Sequence, residues 1–161
     1  MLAVGLGLAT GLVLFGAELA GTPVAPPAMG QPGTAAQPRA ITVILRDYKF
    51  DPTPLYLYPG ETIRLSIVNG GLVEHELTLG DAAVQQAWAA ADALASPAAP
   101  FATAPPASVR PGVGGLRVVV ASGQSVSIEY AVPDGAAPQL VCNLPGHAER
   151  GMIGQVVLLS R

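Results

Sequence analysis

From residue 40 onward, apolar and polar side chains alternate with a period of two, and this pattern limits the fold more than any other feature of the chain. Ile63, Leu65 and Ile67 alternate with Thr62, Arg64 and Ser66. Val126, Ile128, Tyr130 and Val132 alternate with Ser125, Ser127, Glu129 and Ala131. A helix needs a recurrence every three or four residues. A period of two sends successive side chains to opposite faces, so both segments are predicted to be half-buried strands with one face inward. Residues 41–48, 55–58, 74–79, 116–121, 139–143 and 153–159 are further predicted strands. Pro59-Gly60, Asn69-Gly70-Gly71, Ser122-Gly123 and Pro133-Asp134-Gly135 punctuate them as turns. About eight short strands in about 120 residues predict an antiparallel sandwich or barrel.

One segment breaks this rhythm. Residues 81–94, DAAVQQAWAAADAL, are rich in Ala, free of Gly and Pro, and headed by Asp81, a residue that caps helix N-termini. Val84, Trp88 and Ala91 fall at i, i+4 and i+7. The expectation is a short helix with Trp88 facing the sandwich. Residues 96–115 contain five Pro and three Gly and read as a loop. Together, residues 81–115 form an insertion between strands, whose simplest role is a flap over one sheet edge.

Residues 2–17 form an uncharged run rich in Leu, Gly, Ala and Val that Glu18 ends. The run exceeds a usual signal-peptide core and falls short of the roughly 20 residues that span a bilayer comfortably. We read residues 1–20 as a signal peptide or membrane anchor. Residues 21–39 are a linker with five Pro and no apolar period, a composition that behaves as a semi-stiff tether. A domain then occupies residues 40–161. This layout is that of a periplasmic or otherwise extracytoplasmic protein, anchored if the N-terminal segment is retained. Net charge is −3, with one Lys and no basic cluster. Nucleic acid is therefore not an expected partner, because phosphate binding needs grouped cations. The single Cys excludes an internal disulfide framework, a CxxC redox pair and multi-Cys zinc or iron–sulfur sites.

The chemistry concentrates near the C-terminus, in the stretch VCNLPGHAERGMIG. Cys142, His147 and Met152 stand there at C-x4-H-x4-M spacing, between two predicted strands. The other His, His75, lies in VNGGLVEHELTL. The sole Cys and both His thus belong to one possible constellation with a thioether. A soft thiolate, two imidazoles and a weak Met suit copper cycling between Cu(I) and Cu(II). Zinc suits the set less well, since a structural zinc usually takes four Cys or His ligands. Pro145-Gly146 makes a tight turn ahead of His147, and Pro145 brings no N–H to the region of the sulfur. Each ligand also has a plainer reading: Cys142 as a small buried apolar residue, Met152 as core filler, His75 as an ordinary strand histidine. An unpaired thiol in an exported protein is a liability unless masked or ligated, which favours the joint reading.

These residues resemble those of a cupredoxin, a small blue-copper protein of the plastocyanin and azurin superfamily. The C-x4-H-x4-M loop with PGH inside it is most similar to rusticyanin-like and related bacterial members. The resemblance spans about residues 40 to 161. It implies an all-β, Greek-key β-sandwich with one copper near one end, here with a short helix insertion and the N-terminal hydrophobic segment added. It also implies His75, Cys142 and His147 as strong trigonal ligands and Met152 as a long axial one. Electrons in the family usually pass through the exposed edge of the C-terminal ligand His, here His147. Leu144, Pro145, Ala148 and Ile153 are candidates for the apolar patch around it. Two positions depart from the family pattern. Glu76 stands where Asn often follows the first ligand His and ties the ligand loops, and Asn143 stands where Ser or Thr often follows the Cys. Glu74, Glu76 and Glu149 read as solvated or supporting groups rather than ligands.

The leading expectation is a type 1 copper protein that carries single electrons between redox partners outside the cytoplasm. Cytochromes or oxidases docking near His147 are the partners it implies. The alternative is an exported copper-binding or delivery protein of copper homeostasis. With no general base, nucleophile dyad or open metal position legible, an enzyme is not expected.

Overall fold

Apolar residues two apart build two sheets that face each other across one core. The computed structural model describes residues 30–95 and 106–160, so the hydrophobic segment read over residues 1–20, linker residues 21–29 and loop residues 96–105 lie outside it. The strands are β1 (Arg39–Arg46), β2 (Lys49–Asp51), β3 (Leu55–Leu57), β4 (Thr62–Asn69) and β5 (His75–Gly80). After the helix α1 (Ala82–Ala95) come β6 (Leu116–Val120), β7 (Ser125–Ala131), β8 (Gln139–Val141), β9 (Ile153–Gly154) and β10 (Val156–Leu158). One sheet has the order β2-β1-β4-β7 and the other β6-β5-β8-β9, with β10 and β3 forming a separate pair.

Val43, Leu45, Ile63, Leu65 and Ile67 from the first sheet meet Leu77, Leu79 and Leu140 from the second, all fully buried. β4 follows the alternation read from its sequence. β7 does not bury its apolar face to the same degree, and Val126 stays 37% exposed. It is an edge strand, and among the described residues only β4 pairs with it.

The sandwich is mixed rather than antiparallel throughout. β1 runs parallel to β4, with Val43 opposite Ile67, and β10 runs parallel to β3. A period of two encodes which face a residue occupies but not the direction of the neighbouring strand. The packed body also reaches back before residue 40. Gly33 is buried, its N–H donates to Glu61 Oε2 (3.1 Å), and its carbonyl accepts from Thr62 N (3.0 Å). Arg39 Nε donates to the same fully buried carboxylate at 2.8 Å.

Helix α1 forms where the sequence predicts it, and Asp81 Oδ1 accepts from Val84 N at 2.9 Å as an N-cap. It lies across the outer face of β5 and β8 rather than over a sheet edge. Gln85 Nε2 donates to Thr78 O and Gln139 O, one carbonyl on each strand. Gly80 permits this approach, because a Cβ there would stand 2.4 Å from Val84 Cγ1. β5 is therefore buried on both faces over its whole length.

Candidate metal centre

Strand geometry decides which side chains converge at one end of the sandwich. On β5, His75 shares a face with Leu77 and Leu79, so it points into the sandwich. Cys142 follows β8 on the inward parity of Leu140. The β5–β8 register pairs Thr78 with Val141 and sets the two ligand-bearing strand ends side by side. Beyond Cys142 the chain turns tightly: His147 N donates to Leu144 O, and Met152 N returns to His147 O, both at 3.0 Å. Cys142 N closes the loop on Met152 O at 3.1 Å.

Three of the four residues singled out in the sequence meet at one point. His75 Nδ1 stands 3.2 Å from His147 Nδ1, and Cys142 Sγ stands 3.3 Å from the same nitrogen. One ligand atom from each lies within 4.8 Å of the others. His75 and Cys142 are fully buried and His147 is half-buried. Met152 is fully buried in the core cluster that contains Cys142, at the end of the same loop.

The donor set fits a metal cation. His75 Nε2 lies 3.0 Å from Asp47 Oδ1, a carboxylate that accepts and so fixes the ring proton on Nε2. His75 Nδ1 is then a bare lone pair facing a second imidazole nitrogen and a sulfur. Three donors so arranged satisfy one another poorly through hydrogen bonds but match a shared cation. Ligand atoms about 2.0–2.3 Å from one metal ion stand roughly 3–4 Å apart.

Electrostatics around the centre follow from burial. Burial pushes the Cys142 thiol up to about 11, although the Glu76 and Leu144 amides pull the other way. The Glu76 amide reaches the sulfur at 3.3 Å. His147 is held below the ordinary imidazole value, first by burial and then by His75 beside it. Asp47 is held low, chiefly by its hydrogen bond with His75.

Several contributors were not legible in the sequence. Asp47 and Tyr48 occupy the turn from β1 to β2, where Tyr48 adopts φ = 65°. The Tyr48 ring packs edge-on against His75 and His147, with centroids 6.0 and 5.2 Å away. Arg150 stacks on Tyr48 at 4.7 Å, and its guanidinium donates to the phenolic oxygen. The Asp-Tyr pair could have been noticed as turn chemistry, but nothing local ties it to a histidine 28 positions later. Glu74 is exposed, as read, whereas Glu76 is fully buried and paired with Arg117. Of the patch expected around His147, Pro145 and Ile153 are exposed, while Leu144 and Ala148 are half-buried. Leu72, 86% exposed on the loop before His75, adds an apolar surface that the sequence reading did not include.

Comparison with known proteins matches this geometry. The copper-resistant cuproprotein CopI of Rubrivivax gelatinosus is 36% identical over 131 residues, covering 80% of this chain and 72% of that protein. The CopI of Pseudomonas aeruginosa is 30% identical over 164 residues, covering 91% of each. The chain belongs to the CopI cuproprotein family. Solved structures give the same fold. Auracyanin B superposes with a TM-score of 0.57 at 25% identity, over 81% of this chain and 96% of that one. An azurin of Methylomonas sp. strain J superposes at 0.56 with 19% identity, over 76% and 98%. No family model matches the sequence. This CopI relative is thus a copper-binding cupredoxin in which His75, Cys142 and His147 are positioned to bind the metal.

Proposed function

We propose that this cupredoxin carries single electrons outside the cytoplasm, as part of copper tolerance. One type 1 copper would be held by His75, Cys142 and His147, with Met152 as the axial ligand. The observation that carries this reading is the assembly of two imidazole nitrogens and one sulfur at 3.2–3.3 Å contacts inside a sandwich that buries His75 and Cys142 completely. Copper bound there would supply the Cu(I)/Cu(II) couple. The chain's own part is rigidity: β5, β8 and the closed 142–152 loop hold the donors in place, so little reorganisation accompanies a change of charge. His147, half-buried in a stretch of chain that also exposes Pro145 and Ile153, is the route to a redox partner such as a cytochrome or oxidase. We assign no catalytic reaction. The name of the family's characterised members supports the link to copper tolerance, and the stretch read over residues 1–20 supports export.

That name also favours a second reading, in which the same ligands bind and hand over copper. Burial of the donors argues for slow exchange and against delivery. Two measurements on the copper-loaded protein separate them. The electron carrier shows an intense thiolate-to-Cu(II) band, a reversible one-electron wave and slow loss of copper to a chelator. A colourless protein that takes only Cu(I) and gives it up rapidly would overturn the proposal in favour of delivery.

A further inference from the structure

β-strand parity sends the neighbours of the ligands the other way. His75 and Cys142 face the core, so Glu76 and Asn143 face outward, under helix α1. Extending the Thr78–Val141 register by two residues places Asn143 opposite Glu76. The Glu76 carboxylate ties the two ligand-bearing segments together there. Its Oε1 accepts from Asn143 N (3.1 Å), Asn143 Nδ2 (3.2 Å) and Thr78 Oγ1 (2.6 Å). Its Oε2 accepts from Arg117 Nε on β6 at 2.6 Å.

The insertion helix completes the arrangement. Arg117 Nη2 donates to Asp92 Oδ1 at 2.5 Å, and the guanidinium lies 4.4 Å from the centre of the Trp88 ring. Gln85 Oε1 accepts from Asn143 Nδ2 at 2.8 Å. Gln85, Trp88 and Asp92 sit at i, i+3 and i+7, one face of α1. Apolar residues would dock a helix on a sheet at lower desolvation cost than two carboxylates and a guanidinium, so docking alone does not explain the choice. The network holds two carboxylates against one guanidinium, and the amide of Glu76 itself donates to Cys142 Sγ at 3.3 Å.

We propose that α1 is a working part of the copper centre: through Gln85, Asp92 and Arg117 it positions Glu76, which fixes the Cys142 loop against β5 and biases bound copper toward Cu(II). The inference rests on the copper reading above. Negative charge near a metal stabilises its higher oxidation state, so Glu76 and Asp92 act as positioning and tuning residues without touching the metal.

The test uses the full chain carrying Glu76→Gln or Asp92→Asn. In copper-loaded protein at pH 8, both variants should show a higher reduction potential than wild type and a shifted thiolate band. In metal-free Glu76→Gln, the Asn143 amide should exchange its hydrogen about fivefold faster or more, because a charge-assisted bond becomes a neutral one. If Glu76→Gln does not fold, Asp92→Asn, whose side chain lies off both ligand-bearing strands, carries the test alone. Potentials and bands unchanged from wild type would overturn the proposal and leave α1 a mere cover. A wild-type protein that takes up no copper would overturn the copper reading and the proposal with it, and the metal-free exchange rate would then report only on the tie.

Discussion

Copper binding should tighten by about one power of ten per pH unit in the alkaline range, because Cys142 must lose a proton before it can act as a ligand. Burial places that thiol at about 11 in the metal-free protein. At pH 7 the thiol form therefore outnumbers thiolate by about 10⁴, an opposing term of about 5 kcal/mol in the apparent affinity. His147 adds nothing to the slope, since burial and His75 hold it below the ordinary 6.5 and it is neutral by pH 7. The sign follows directly. Binding releases a proton, so the apparent dissociation constant falls as pH rises and levels off only above about 11. A competition titration from pH 8 to 10, against a Cu(I) chelator whose own affinity is constant there, should show about a 100-fold gain. Cys142→Ser should bind weakly at every pH and lose the slope. A flat profile for the wild-type protein would refute the reasoning, because it would mean that the thiolate already exists in the apo state.

Other perturbations follow from single contacts. Gly71→Ala would place a Cβ 2.4 Å from Asp47 Oδ1 and 2.7 Å from His75 Nε2. The buried ring has no room to yield, so the Asp47 hydrogen bond should break and copper affinity, measured by chelator competition, should fall roughly 10- to 100-fold. Glu61→Gln should cost about 3 kcal/mol in urea unfolding of the apo protein, because Arg39 loses its buried partner. Burial tends to raise Glu61, but Arg39 and the Tyr58 and Gly33 amides more than offset it, leaving the group below its ordinary 4.5. Its stabilising contribution is thus fully present above 4.5 and is lost as pH falls through the lower folded value, a loss that should be absent from the acid-unfolding curve of Glu61→Gln. Gly80→Ala would meet Val84 Cβ at 2.5 Å and should lift α1 from β5, lowering stability by about 1–3 kcal/mol in the same unfolding assay.

The strand pattern, the helix over residues 81–94 and the Cys142, His147 and Met152 candidates of the C-terminal loop were all written in local spacing. Alternation reports a face, an N-cap and a Gly-free Ala run report a helix, and C-x4-H-x4-M confines three donors to one loop. Met152 illustrates the boundary: its place in the motif is local, and its burial beside Cys142 is a product of packing. The sequence by itself therefore determined the strand faces, the helix and which residues are candidates for holding copper. Only the tertiary structure decided the parallel pairings of β1 with β4 and β3 with β10, the Asp47 carboxylate behind His75, and the burial of Glu76 beneath α1. The two strand pairings join residues 24 and 101 positions apart, and the Asp47–His75 and Glu76–Arg117 contacts span 28 and 41. Short-range periodicity carries no information about such meetings, because they are selected by the free energy of the whole packed core rather than by any segment of it.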